Sequence, residues 1–352
     1  MAGSMFLKSD NLANWLQELS EQATVYVPVQ AGEATDFQPY TRDAEINLRE
    51  QPTAPPKKVV FPQTETLLKY RYVKDPDHPD TQKIQVRETL PEAGEKNIVF
   101  GCRPCGAKGF AIFDPVYDSD QVSDPYYRAR REQTLFVSLA CQEPDNSCFC
   151  HWVGGGPADP SGSDLLLVPL AEGYLVEAHS DRGLELLSSG NLDQAADAQV
   201  KEAEETKKQA MAELDDPPDL SDVPERLLDL FDDLQFWEEV SAKCISCGAC
   251  TYLCPTCYCF NITDEAAGLS GKRVRTWDNC MSFLFTLEGS GHNPRMTKAH
   301  RLRNRVGHKF SYYPRLHEGV MACCGCGRCI KSCPVSVDIR EIVLRAKETV
   351  HE

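Results

Sequence analysis

The sequence predicts an α+β chain in three parts. They are a mixed N-terminal domain over residues 1–190, an acidic helical connector over 191–240, and a C-terminal domain over 241–352 organised by cysteine runs. Three observations carry that reading. Two runs of the form C-x2-C-x2-C-x3-C-P begin at Cys244 and Cys323. Short stretches with strand character, separated by turn residues, fill much of the N-terminal part. Residues 201–234 hold 12 acidic and 4 basic side chains, so one segment supplies half of the net charge of −16.

In chain order, the opening reads as a helix, with Ser9 or Asp10 as N-cap and Leu12, Trp15, Leu16 and Leu19 on one face. Strands are expected at 24–29, 97–100, 134–139, 165–168 and 174–178, with a Pro-rich stretch near 52–62. Residues 200–214 read as a charged helix. Pro217, Pro218 and Pro224 break it before a second helix from 225 to about 240. The plain reading of this region is a solvated linker; the other is a docking surface for a basic partner. Between the cysteine runs, Arg295, Lys298, Arg301, Arg303, Arg305, Lys309 and Arg315 fall in 21 residues free of Asp and Glu. Such a stretch suits the neighbourhood of anionic, thiolate-ligated clusters. Phosphate binding is its alternative.

Composition narrows the function. With 41% hydrophobic and 26% charged residues over 352 positions, the chain is globular rather than disordered. Its acidity argues against a nucleic-acid binder, which gains affinity by neutralising phosphates. Met1 to Asp10 show no basic segment followed by an apolar one, and no apolar run approaches the roughly 20 residues of a membrane span. A cytoplasmic protein is expected. In that setting 17 cysteines point to metal rather than disulfides.

The two runs match the bacterial ferredoxin spacing, in which three thiolates clasp one cluster and the fourth, carried off on the next helix, ligates the other. The first [4Fe-4S] cluster then takes Cys244, Cys247, Cys250 and Cys333, and the second Cys323, Cys326, Cys329 and Cys254. Gly248, Gly325 and Gly327 fit tight loops that aim amide N–H groups at sulfur. Zinc, the rival, uses C-x2-C pairs rather than unbroken runs.

Nine cysteines remain. Cys105, Cys141, Cys148 and Cys150 form a candidate third [4Fe-4S] site, against the reading of small buried hydrophobes. His151 could replace one of these ligands or simply pack. Cys257, Cys259 and Cys280 make a further set of three beside the first run, and Cys102 and Cys324 read as bystanders. There is no G-x-G-x-x-G after a strand, no G-x4-G-K-[ST] and no nucleophile elbow, so neither a dinucleotide fold nor an NTPase nor a hydrolase is signalled. No catalytic residue is assigned.

The segments GCRPCGAKGFAIFDPVY, DPYYRARREQTLFVSLACQEPDNSCFC, CISCGACTYLCPTCYCFNITD, RTWDNCMSF and RLRNRVGHKFSYYP resemble, in order from about residue 95 to 340, a family of four-iron dicluster subunits. These are the β subunits of cytosolic sulfhydrogenases (nickel–iron hydrogenases), the A subunit of anaerobic sulfite reductase, and relatives in heterodisulfide-reductase-linked flavin oxidoreductases. The resemblance implies a non-catalytic relay in a hetero-oligomer, between a flavin subunit using NAD(P)H and a catalytic subunit. It also implies that Cys257, Cys259 and Cys280 belong to a shared pattern, with a structural or cluster-proximal role. Cys102, Cys324 and the acidic stretch depart from that pattern. The expectation is therefore a two-[4Fe-4S] ferredoxin domain with an insertion over 255–322, in a chain that passes electrons and makes no bonds. A self-contained flavin oxidoreductase and a free ferredoxin-like carrier are the alternatives.

Overall fold

The computed structural model describes residues 4–78, 80–91, 94–188 and 192–349, so the expected domain boundary at 190 lies outside the described residues. Twelve strands form two sheets among those residues. They are β1 (Met5–Lys8), β2 (Thr24–Ala31), β3 (Ala34–Pro39), β4 (Thr64–Lys74), β5 (Gln82–Glu88) and β6 (Asn97–Cys102), then β7 (Thr134–Leu139), β8 (Leu165–Leu170), β9 (Gly173–Ala178), β10 (Asp193–Gln194), β11 (Phe260–Ala267) and β12 (Ser270–Trp277).

The large sheet runs β10-β1-β9-β8-β7-β6-β2-β3. Its centre, β2-β6-β7-β8, is parallel, and every other pairing is antiparallel. Parallel strands must be covered on both faces, which is why β6, β7 and β8 read as nearly unbroken apolar runs. Helix Pro104–Tyr117 carries the chain out of β6, and Pro125–Gln133 leads back into β7. Asp124 caps the second helix by accepting from the amides of Tyr126 and Tyr127. On one face of the sheet Trp15, Leu16 and Leu19 pack with Val27, Phe100 and Leu167. On the other, Phe110 and Phe113 pack with Val99 and Phe136.

The opening helix departs from expectation at its start. Ser9–Asn11 forms a 3-10 turn, and the helix Leu12–Ser20 begins after it without a side-chain cap. The acidic region is folded onto its neighbours rather than solvated throughout. Helix Asp197–Ala212 lays Ala203 against Leu166, Val168 and Leu175, and Lys207 pairs with Glu177 at 2.8 Å. The expected second helix is two, Val223–Asp229 and Leu234–Ser241, because Asp233 caps a new start by accepting from the Phe236 amide at 3.0 Å. These helices pack Leu227 and Trp237 against Val306, Phe310 and Ile342 in the C-terminal core.

The second sheet, β11-β12-β4-β5, joins the hairpin inside residues 255–322 to two N-terminal strands. Buried Arg275 on β12 holds it, pairing with Glu65 of β4 and with Asp124. No helix among the described residues is long and apolar enough to cross a membrane.

Candidate metal centres

Both cysteine runs fold the same way. After the first cysteine of each, the backbone turns through positive φ, at Ser246 (57°) and Gly325 (61°), and again at Gly248 (79°) and Gly327 (71°). These turns aim amides inward: Ser246 donates to the Cys244 sulfur at 3.4 Å and Gly325 to Cys323 at 3.4 Å. Past the last cysteine, Val337 donates to Cys333 at 3.2 Å. Gly248 and Gly327 then start the short helices Ala249–Tyr252 and Arg328–Lys331, which carry each run toward its fourth cysteine.

Two cavities result. Cys244, Cys247, Cys250 and Cys333 line the first, with Met281, Leu302 and Ile342. Cys254, Cys323, Cys326 and Cys329 line the second, with Phe149 and Lys309. Each set of four expected from the spacing is thus brought together, and each borrows its fourth member from the other run. Cys329 and Arg305 line both cavities, so the two share a wall.

That wall is cationic. Helix Lys298–Gly307 and the π-helical turn His308–Tyr312 bring Arg305 and Lys309 inward, 4% and 3% exposed. Arg305 Nε donates to the Cys250 sulfur at 3.1 Å, and Lys309 Nζ to Cys254 at 3.4 Å. Burial works against both charges, yet the surrounding thiolates hold both pKa values well above the ordinary range. No carboxylate pairs with either among the described residues. Buried cations need anions, and here the anions are cysteine sulfurs. The residues therefore fit thiolate-ligated clusters. Among the described residues no three His, Cys, Asp or Glu side chains converge on one metal-ion position.

The parallel sheet explains the third group. Adjacent parallel strands end on the same edge, so Cys105 just after β6 and Cys141 just after β7 emerge side by side. Cys148 and Cys150 come from the loop that follows. Burial pushes the Cys148 thiol up to about 12, with the Cys141 and Cys150 thiolates adding to it. Cys105 is raised by burial and by Cys326, Cys141 and Cys148, against the Arg328 guanidinium 3.9 Å from its sulfur. This group abuts the second cavity directly. Phe149 N donates to Gly325 O at 2.8 Å, and a Cβ on Gly325 would meet the Phe149 carbonyl at 2.4 Å. Gln51 bridges the two, donating to the Cys105 sulfur at 3.6 Å and to Cys326 O at 3.1 Å. The thiols therefore stand in a row, with the second cavity in the middle.

The 4Fe-4S dicluster domain family matches residues 243–337. Sulfhydrogenase 2 subunit beta of Pyrococcus furiosus is 30% identical over 349 residues, covering 97% of this chain and 98% of that protein. The chain belongs to the sulfhydrogenase β-subunit family. It is an iron–sulfur electron-transfer subunit whose dicluster domain carries two [4Fe-4S] clusters. No solved structure matches it.

Within this β-subunit chain the remaining cysteines divide. Cys257 follows Cys254 in a turn, its amide donating to the Cys254 carbonyl at 3.5 Å, and Cys280 is buried in the core that Cys259, Cys244 and Cys250 pack against. Cys324, expected to be a bystander, lines the second cavity together with Cys326. Cys102 sits 3.4 Å from the Ser138 hydroxyl inside the sheet, its thiol pushed up to about 11 by burial. His151 packs edge-on against Trp152. Sequence reasoning missed Gln51, Arg328 and Lys57. Lys57 is 3% exposed, donates to Cys257 O at 2.9 Å and lies 4.0 Å from the Trp277 ring centre. No spacing signal marks Gln51 or Lys57, which act from a distant part of the chain, and Arg328, inside the second run, is marked only by its reach to Cys105.

Proposed function

We propose that this subunit relays electrons, one at a time, between a flavin subunit using NAD(P)H and a catalytic redox subunit of a cytoplasmic hetero-oligomer. The relative's name, which makes it one subunit of a sulfhydrogenase, supports the hetero-oligomer. Cys244, Cys247, Cys250 and Cys333 hold one cluster, and Cys323, Cys326, Cys329 and Cys254 hold the other. Cys105, Cys141, Cys148 and Cys150 hold a third, while Cys257, Cys259 and Cys280 brace the cavities. The clusters supply reversible one-electron redox chemistry when bound. The chain's own residues fix their order, screen them from water and offset their charge.

The single observation that carries the reading is the row. Cys329 lines both dicluster cavities, and Cys326 neighbours Cys105 and Cys148. A catalytic site would converge on one pocket; adjoining sites in series suit the passing of electrons. Iron and acid-labile sulfide per chain test it, with about 12 irons expected for three clusters and about 8 for two. Cys105→Ala should lower the count by about 4. An unchanged count removes the third cluster, and unchanged iron in Cys247→Ser or Cys326→Ser overturns the ligand sets.

A further inference from the structure

A relay must have an exit that a partner can reach. Among the cysteines lining the two cavities only Cys247 is exposed, whereas Cys254, Cys323 and Cys326 are buried. The surface around Cys247 is apolar: Ile245 is 61% exposed, Leu284 71%, Met296 59% and Phe283 40%. Exposed apolar side chains scattered singly mean little, but a contiguous group marks a contact surface.

Arg301 makes these a group. Itself 7% exposed, it donates to Ser246 Oγ at 3.4 Å and to the carbonyl of Met296 at 3.1 Å. Its guanidinium also lies 6.0 Å from the Phe283 ring centre. One buried cation thus gathers the Cys247 loop, the 283–286 turn and the 295–297 loop into one surface. Its flanks are mainly basic, with exposed Glu288 the acidic neighbour of the 283–286 turn. In a chain of net charge −16, residues 241–263 and 289–317 contain no Asp or Glu, and exposed Lys243 with half-buried Arg295 and Lys298 stand beside the apolar centre.

We propose that this patch is the electron port of the first cavity. It receives a redox protein whose own centre lies near an apolar surface ringed by Asp and Glu. The inference rests on the relay reading above. An apolar core within a charged rim is the anatomy of a protein–protein contact, and complementary rim charges mainly raise the association rate. The basic segment thus favours this face for an acidic partner.

The test photoreduces the full-length chain with its clusters in place, then mixes it with oxidised flavodoxin, a small acidic flavoprotein, or with benzyl viologen, a small dye. Electron transfer to flavodoxin should slow about tenfold between low and high salt. Leu284→Glu combined with Met296→Glu should slow it at least tenfold, with iron content and the rate to benzyl viologen unchanged. Equal flavodoxin rates in variant and parent, or a rate that rises with salt, overturn the port. A preparation that holds no iron, or does not bleach on photoreduction, overturns the relay reading and the port with it.

Discussion

Arg305 Nε donates to the Cys250 sulfur at 3.1 Å while Arg305 Nη2 donates to the Cys250 carbonyl at 2.9 Å, so one guanidinium grips one cysteine by side chain and backbone. The fork geometry lets Arg do what Lys cannot. Charge-assisted hydrogen bonds to sulfur stabilise the more negative, reduced state of a cluster. Arg305→Met should therefore lower the potential of one cluster by about 60–130 mV, the equivalent of about 1.5–3 kcal/mol for one electron. A redox titration followed by electron paramagnetic resonance checks this, with a smaller shift in the same direction for the second cluster because Arg305 lines both cavities.

Gly325 has no room for a side chain. Its φ is 61° and a Cβ there would lie 2.4 Å from the Phe149 carbonyl. Gly325→Ala should separate the Cys148 loop from the second run, reducing iron per chain and lowering the unfolding temperature. A penalty of about 1–3 kcal/mol is expected. Gly289→Ala, where nothing lies within 4 Å, is the control and should change neither.

Asp145 and Lys331 clasp the same junction from outside at 2.7 Å. Burial pushes the Asp145 carboxyl up, but the Lys331 ammonium and the Ser147 hydroxyl and amide pull it down to about 2, from 3.8. A depressed carboxylate contributes stability above its unfolded pKa and loses it as pH falls through the folded one. The clasp should hold fully above about pH 4 and release between about pH 4 and 2. Hydrogen exchange of residues 145–150 should rise in that window. Asp145→Asn should show the raised exchange already at neutral pH, with a smaller acid step.

Glu65 neutralises buried Arg275 on the neighbouring strand, with side-chain exposures of 3% and 5%. Glu65→Ala leaves that cation with Asp124 alone. The expected cost is about 3 kcal/mol, near the lower end for breaking a buried pair. Denaturant midpoints read it.

The cavities were legible in the sequence because ferredoxin spacing is a local code: the turn after each cysteine dictates where the next one points. The third group was half legible. Its cysteines could be named, but only the parallel pairing of β6 with β7 brings Cys105 beside Cys141. The second sheet was missed because β5 and β11 are exposed along their whole length, so neither shows the alternation that betrays a strand with one buried face. Cys324 lies in the wall of the second cavity, a placement that no spacing records.

The exchange of fourth cysteines has a consequence for how the molecule is made. The first cavity needs Cys333 and the second needs Cys323, Cys326 and Cys329. Neither can be lined in full on a nascent chain until Cys333 and the second run have been made. A product cut short before residue 323 would leave both sites unfinished. Topology acts here as an inspection step: a chain that lacks the second run cannot complete even the first site.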